Sequence, residues 1–208
     1  MLNNLIERYP VLEACKNESE KAANAIIDCY KNGGKVLICG NGGSCADGDH
    51  IVGELMKGFL KKRPISDEQK AEMKKNCPEL DDETLSNLQC GLPAVSLPSI
   101  TALNSAFCND VDPELIYAQS LMGLGRKGDI LIALSTSGNS KNVFAAAKVA
   151  KALGVTVIGM TGITGGKLKG ISDICICVPE TETYKIQELH LPVYHYLCAA
   201  VEDSFYKE

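Results

Sequence analysis

Residues 129–140 read DILIALSTSGNS, an apolar run that stops abruptly at a string of hydroxyl and amide side chains. The apolar half has the length and composition of a strand buried on both faces, and KNVFAAAKVAKALG (141–154) follows with helical spacing. In an open parallel sheet, ligands sit beyond the carboxyl ends of the strands. The next helix aims its free N–H groups and the positive end of its dipole there. Ser135, Thr136, Ser137 and Ser140 add neutral donors with no Lys or Arg among them. That suits a phosphate on a small metabolite that must be bound and released. Ser, Thr and Asn also dominate helix N-caps for structural reasons, so this stretch alone leaves both readings open.

A second loop of the same kind favours the phosphate. KVLIC (35–39) is another short apolar strand, followed by GNGGS (40–44) and a helical pattern. Two polar, glycine-bearing loops would therefore meet at one sheet edge, and glycine lets a ligand approach the backbone closely. Nucleotide fingerprints do not fit. There is no GxxxxGK[ST], and the GxGxxG match at 123–128 precedes a strand where it needs to follow one. Those glycines are expected to end the helix DPELIYAQSLMGL with a left-handed residue.

Working outward, strands are expected near 35–39, 93–97, 129–134, 155–160 and 174–178, alternating with helical segments. This pattern predicts an α/β fold: a three-layer αβα sandwich on a five-stranded parallel sheet, flavodoxin-like and doubly wound. A single domain is expected over 1–208. It would have helices over about 1–32, with Asn17-x-x-Glu20 as a capping box and Asn32-Gly33-Gly34 as a stop, and a charged helical insertion over about 61–91. Ser66-x-x-Gln69 marks a helix start within that insertion, and a final helix should run from about Thr183, with Pro192 kinking it.

With 45% hydrophobic residues in 208, the chain can bury one sizeable core. No apolar run approaches the ~20 residues of a membrane span, and MLNNLIERYP lacks a signal-peptide pattern. A cytoplasmic protein, with no membrane partner, is the expectation. A net charge of −5 argues against a general nucleic-acid surface. The ten cysteines form no CxxC pair and read as small, reduced, mostly buried hydrophobes. Cys45, at a helix N-terminus, is the one where a thiolate would be favoured.

His50 and Glu54 are four apart in a helical segment, so they share a face just beyond the first loop. An imidazole and a carboxylate so placed can bind a metal or move protons, and they can equally be an exposed surface pair. The segment TYKIQELHLPVYHYLCAAVEDSF (183–205) holds Gln187, Glu188, His190 and His195. Helical spacing does not choose among these four, because Glu188 and His195 nearly eclipse while Gln187 and His195 lie about 80° apart.

GNGGSCADGDHIVGEL, ALNSAFCND, GRKGDILIALSTSGNSKNV and IQELHLPVYH, in this order and spacing, resemble the sugar isomerase (SIS) domain family, and most closely its phosphoheptose isomerases. The resemblance covers nearly the whole chain except about 61–91, where these enzymes are expected to have a much shorter link. It implies substrate contacts from Asn41, Gly42, Gly43, Ser44, Glu54, Asn109, Asp110, Ser135, Thr136, Ser137, Ser140 and Gln187. It also implies a zinc ion on His50, Glu54, Gln187 and His195, and a homotetramer with active sites at subunit interfaces. His195 is thereby preferred over His190, with Glu54 and His195 as the catalytic pair. The implied reaction interconverts sedoheptulose 7-phosphate and D-glycero-D-manno-heptose 7-phosphate through an enediol, supplying heptose for surface polysaccharide.

Such a reaction needs a base at carbon and an acid or metal at the two oxygens. Zinc accepts an all nitrogen and oxygen ligand set, and it polarises a carbonyl as a Lewis acid. Two other classes compete. One is a non-catalytic SIS relative that binds a replication-initiator-type partner. The other is a sugar-phosphate sensor, usually fused to a helix-turn-helix module. The first is expected to lack residues matching Glu54 and His195, and a single domain of 208 residues leaves no room for the second's module, so an enzyme is favoured.

Overall fold

The computed structural model describes residues 1–206. Strands β1 (Val36–Cys39), β2 (Ala94–Ser96), β3 (Ile130–Leu134), β4 (Thr156–Thr161) and β5 (Ile174–Cys177) form one parallel sheet in the order β2-β1-β3-β4-β5. Each matches an expected strand to within two residues. In β1 and β3 every residue is buried, as a sheet covered on both faces requires.

Period-two alternation sorts these side chains into two cores. Val36, Ile38, Ile130, Ile132, Ile158 and Ile176 point to one face. There they pack against α2 (Lys16–Lys31), α3 (Gly43–Met56) and α10 (Thr183–Phe205), through residues such as Ile26, Ile51, Leu55, Val193 and Leu197. Leu37, Cys39, Leu131, Ala133 and Val157 point the other way, against α7 (Ile116–Leu124), α8 (Lys141–Ala152) and α9 (Gly166–Ile171). The result is the expected αβα sandwich. After β1 the chain winds outward to β2, then crosses back past β1 to β3. Helices α3 and α8 thus start on opposite faces of the β1/β3 crevice, which is the point where this strand order opens a ligand site.

Local expectations fared unevenly. The N-terminal region holds α1 (Leu2–Arg8), a 3₁₀ turn (Pro10–Cys15) and α2. Asn17 is not a cap, because α2 already begins at Lys16 as a continuation of that turn. Helix α2 does stop where expected, with Gly33 at φ +75°. The helix before β3 corrects two expectations: Pro113–Leu115 is 3₁₀, and Gly125 closes α7 with φ −70°, in extended backbone. Gly128, three residues on, carries the positive φ, because the turn into β3 falls there.

In the charged segment, α4 (Asp67–Asn76) opens on the Ser66/Gln69 capping box and α5 (Asp82–Asn87) on Asp81. Helix α4 buries nothing, and α5 buries Leu85. The neck is closed by an antiparallel bridge between Pro64 and Gln89 and by Cys90 N–H donating to Arg63 O at 2.7 Å. The exposed α6 (Thr101–Asp110) follows β2. Helix α10 runs through Pro192 for 23 residues. No helix among the described residues is long and apolar enough to cross a membrane.

Candidate active site

The loops after β1 and β3 meet at the crevice between those strands. Asn41 and Asn142, in the first turn of α8, exchange two side-chain hydrogen bonds of 2.9 Å, and Tyr117 Oη donates its one proton to Gly40 O at 2.8 Å, with Asn41 Oδ1 3.0 Å away. In the second loop Ser135 Oγ and Ser140 Oγ lie 2.9 Å apart, and Ser137 Oγ accepts from Asn139 N–H. Gly138 carries φ +67°, and a Cβ there would meet Gly165 O at 2.0 Å. The tight, hydroxyl-lined turn therefore admits only glycine at this position. Thr136, Ser137 and Asn139 face a cleft of about 240 Å³ shared with Thr164 and Glu180.

Helix α3 then delivers His50 and Glu54 to one face, as their spacing requires, and α10 brings His195 to them. His50 Nε2 is 3.0 Å from Glu54 Oε1 and 3.5 Å from His195 Nε2. Ligands on a tetrahedral zinc at 2.0–2.1 Å are about 3.3–3.4 Å apart, so the donor types and their spacing suit that ion. As placed, His50 Nε2 is within hydrogen-bond distance of Glu54, with His195 Nε2 at the outer limit of that distance. Among the described residues no group of three or more His, Cys, Asp or Glu side chains is arranged to hold a metal ion. Burial, and then the neighbouring His50, depress the His195 pKa against the opposing pull of Glu54. The shift favours the neutral imidazole, the form that accepts a proton or a metal. Lys57 Nζ adds a cation 3.3 Å from Glu54 Oε2. His195 also lines a cleft of about 220 Å³ walled by Leu5, Phe59, Leu60 and Leu191.

Not every expected residue joins this centre. The Gln187 carboxamide lies against the first loop, where a Cβ on Gly43 would be 2.6 Å from its Nε2. It reaches the substrate side and makes no hydrogen bond to the other three ligand candidates. Asn109 and Asp110 end the exposed α6 and bond to each other. Ser44 is buried at the start of α3. Burial, then Asp49, raises the Cys45 thiol pKa, which overturns the expectation of a favoured thiolate there. His190 is a core histidine held near Thr161 O, with its pKa pushed by burial down to about 4.

Sequence reasoning missed two supports of the site. Tyr194 Oη stands 2.9 Å from His50 Nδ1 and donates to Asp47 Oδ1 at 3.3 Å. Arg63 and Glu202 form a fully buried ion pair at 2.8 Å. The Arg63 guanidinium also donates to Leu55 O and Glu54 O, buried or part-buried carbonyls in the last turn of α3 that have no helical partner. Glu202 accepts the N–H groups of Phe59, Leu60 and Lys61. One signal was legible: Glu202 falls seven residues after His195, a charge on the apolar stripe of α10, and a charge so placed needs a partner.

A parallel 2-1-3-4-5 sheet with two small-residue loops at its switch point and an imidazole–carboxylate centre beside them defines a sugar-phosphate-binding α/β domain. The SIS domain family profile matches residues 3–89 and 89–162, and the chain belongs to that family. Within it the chain is similar to phosphoheptose isomerases. That of Aneurinibacillus thermoaerophilus is 37% identical over 188 residues, covering 90% of this chain and 82% of the relative. That of Rhodospirillum rubrum is 38% identical over 91% of this chain and 87% of its own length. The solved phosphoheptose isomerase from Francisella tularensis superposes with a TM-score of 0.77 at 31% identity, covering 94% of this chain and 91% of that one.

Proposed function

We propose that this chain is a phosphoheptose isomerase interconverting sedoheptulose 7-phosphate and D-glycero-D-manno-heptose 7-phosphate. The observation that carries the reading is the meeting of His50, Glu54 and His195 beside the β1/β3 crevice, in a chain whose relatives bear that name. The hydroxyls of 135–140 and the N-terminus of α8 bind the phosphate, which anchors the sugar. Glu54 takes a proton from C1 of the ketose, giving an enediol, and returns it at C2. His195 serves the oxygens: it supplies the proton that O2 gains and accepts the one that O1 loses.

His50, Glu54 and His195 would hold zinc. The bound ion supplies Lewis-acid stabilisation of charge on the two oxygens. What supports it is the donor chemistry and the 3.0 and 3.5 Å spacings. A homotetramer belongs to the same reading, supported by the apolar walls of the His195 cleft, where Leu60 and Leu191 are exposed. The test is turnover of sedoheptulose 7-phosphate by purified protein with and without added Zn²⁺. Glu54→Gln and His195→Ala should each lose ~10²–10⁴-fold in kcat while remaining folded. Absence of turnover of any ketose phosphate by the wild type refutes the reading.

A further inference from the structure

We infer that Cys175 and Cys177 form a two-thiolate site for a soft monovalent cation, Cu(I), at the open edge of the sheet. The two residues alternate with Ile174 and Ile176 on β5, so they share one face of the strand. Their Sγ atoms stand 3.6 Å apart, and both residues are half-buried. Cys15, Cys29, Cys39 and Cys198 are fully buried by contrast. Strand β5 is the last in the sheet order, with β4 as its one neighbour. Its register partners leave the pair room. Gly159 lies opposite Cys175 and Thr161 opposite Cys177, and a Cβ on residue 159 would come within 3.2 Å of Cys175 Sγ. The Thr161 hydroxyl lies 3.4 Å from Cys177 Sγ.

Cysteines two apart on a strand are badly placed to bond to each other. Their Cβ atoms are held roughly 6.6 Å apart, whereas a disulfide needs about 3.5–4.5 Å. An ion between the sulfurs asks for no such movement. Metal–sulfur bonds of ~2.3 Å at a tetrahedral angle put two sulfurs about 3.8 Å apart, which the observed 3.6 Å already approaches. Thiolates select soft ions. Zinc takes four ligands in such sites, and among the described residues no third His, Cys, Asp or Glu joins this pair. Charge points the same way. Two thiolates and Cu(I) carry one net negative charge, and Lys169 on α9 is a cation whose field reaches both sulfurs. A divalent ion would be neutralised by the thiolates alone and leave Lys169 without that partner. On binding, each sulfur forms one bond to copper, each S–H that breaks gives its proton to water, and no oxidation state changes.

The site is independent of the isomerase reading, so its test needs no substrate. Full-length protein, reduced and held under nitrogen, is titrated against the Cu(I)–bicinchoninate complex. The wild type should withdraw one Cu(I) per chain more tightly than any further equivalent. Cys175→Ser and Cys177→Ser should each weaken that step by ~10²–10⁴-fold, the advantage that linking two weak ligands confers. Cys77→Ser and Cys108→Ser, at exposed thiols, should leave it unchanged. A second measurement uses the unaltered chain. Cu(I) should protect Cys175 and Cys177 together from iodoacetamide, read by peptide mass spectrometry, while Cys77 stays reactive. Wild-type Cu(I) affinity in both Cys175→Ser and Cys177→Ser, equal alkylation of the pair with and without the ion, or Zn²⁺ held at the pair in preference to Cu(I) overturns the inference.

Discussion

Replacing Glu202 by Gln should cost this protein more stability than its conservative chemistry suggests. In the native chain Oε1 accepts from Phe59 N–H and Arg63 Nε, both at 2.8 Å, and Oε2 accepts from Leu60 and Lys61 N–H at 2.7 and 3.1 Å. An amide turns one of those oxygens into a donor facing two donors, and it leaves the Arg63 guanidinium buried without a counter-charge. Breaking one side of a buried pair typically costs about 3–5 kcal/mol. That is a large share of a domain's total of ~5–15 kcal/mol. At ~2–4 °C per kcal/mol for a chain of this size, Tm should fall by roughly 6–20 °C in a circular-dichroism melt at neutral pH. Pairing the change with Arg63→Met removes the stranded charge, so the double variant should recover part of the loss.

The pH dependence follows the sign of the shift. Burial raises the Glu202 carboxyl pKa, but the N–H groups of Phe59 and Leu60 and the Arg63 guanidinium outweigh it and hold the group below the ordinary glutamate value. Its stabilisation is therefore complete above ~4.3, the unfolded value, and is lost as pH falls through the lower folded value. The gap between wild type and Glu202→Gln should accordingly hold steady from about pH 8 to pH 6 and shrink in acid. A Tm drop under ~3 °C at neutral pH, or a gap that widens in acid, would refute the argument.

Ser135→Ala and Ser140→Ala should mainly raise KM, by roughly ten- to a hundredfold, since a hydrogen bond to a charged group is worth about 1.5–3 kcal/mol and the phosphate is unchanged by the reaction. Comparable turnover of unphosphorylated sedoheptulose would contradict that. Excising 66–88 should leave a folded chain, because Pro64 and Gln89 already pair across the neck; collapse of the melting transition would show that Leu85 anchors more than its own helix. Light scattering at micromolar concentration should give about four times the 22.3 kDa chain mass, and a monomer would contradict the tetramer. Chelator treatment should abolish activity that Zn²⁺ restores, with failure shown by full turnover after the metal is removed.

The alternation of apolar runs with helical patterns was enough to determine the five strands, the parallel sheet and the two loops at its switch point. Buried strands and amphipathic helices are written in local periodicity. The i, i+4 placement of His50 and Glu54 was equally local. What the sequence left open was which residues of α10 face them, because helical spacing alone does not fix where a long helix lies on the sheet. Packing decided it, bringing His195 to the centre, laying Gln187 on Gly43 and burying His190 beside Thr161. Tertiary structure alone joined Arg63 to Glu202 and Tyr194 to Asp47, across 139 and 147 residues of chain. Each of these contacts exists because burial removes water from a polar group, which must then find its partner wherever the fold has brought one.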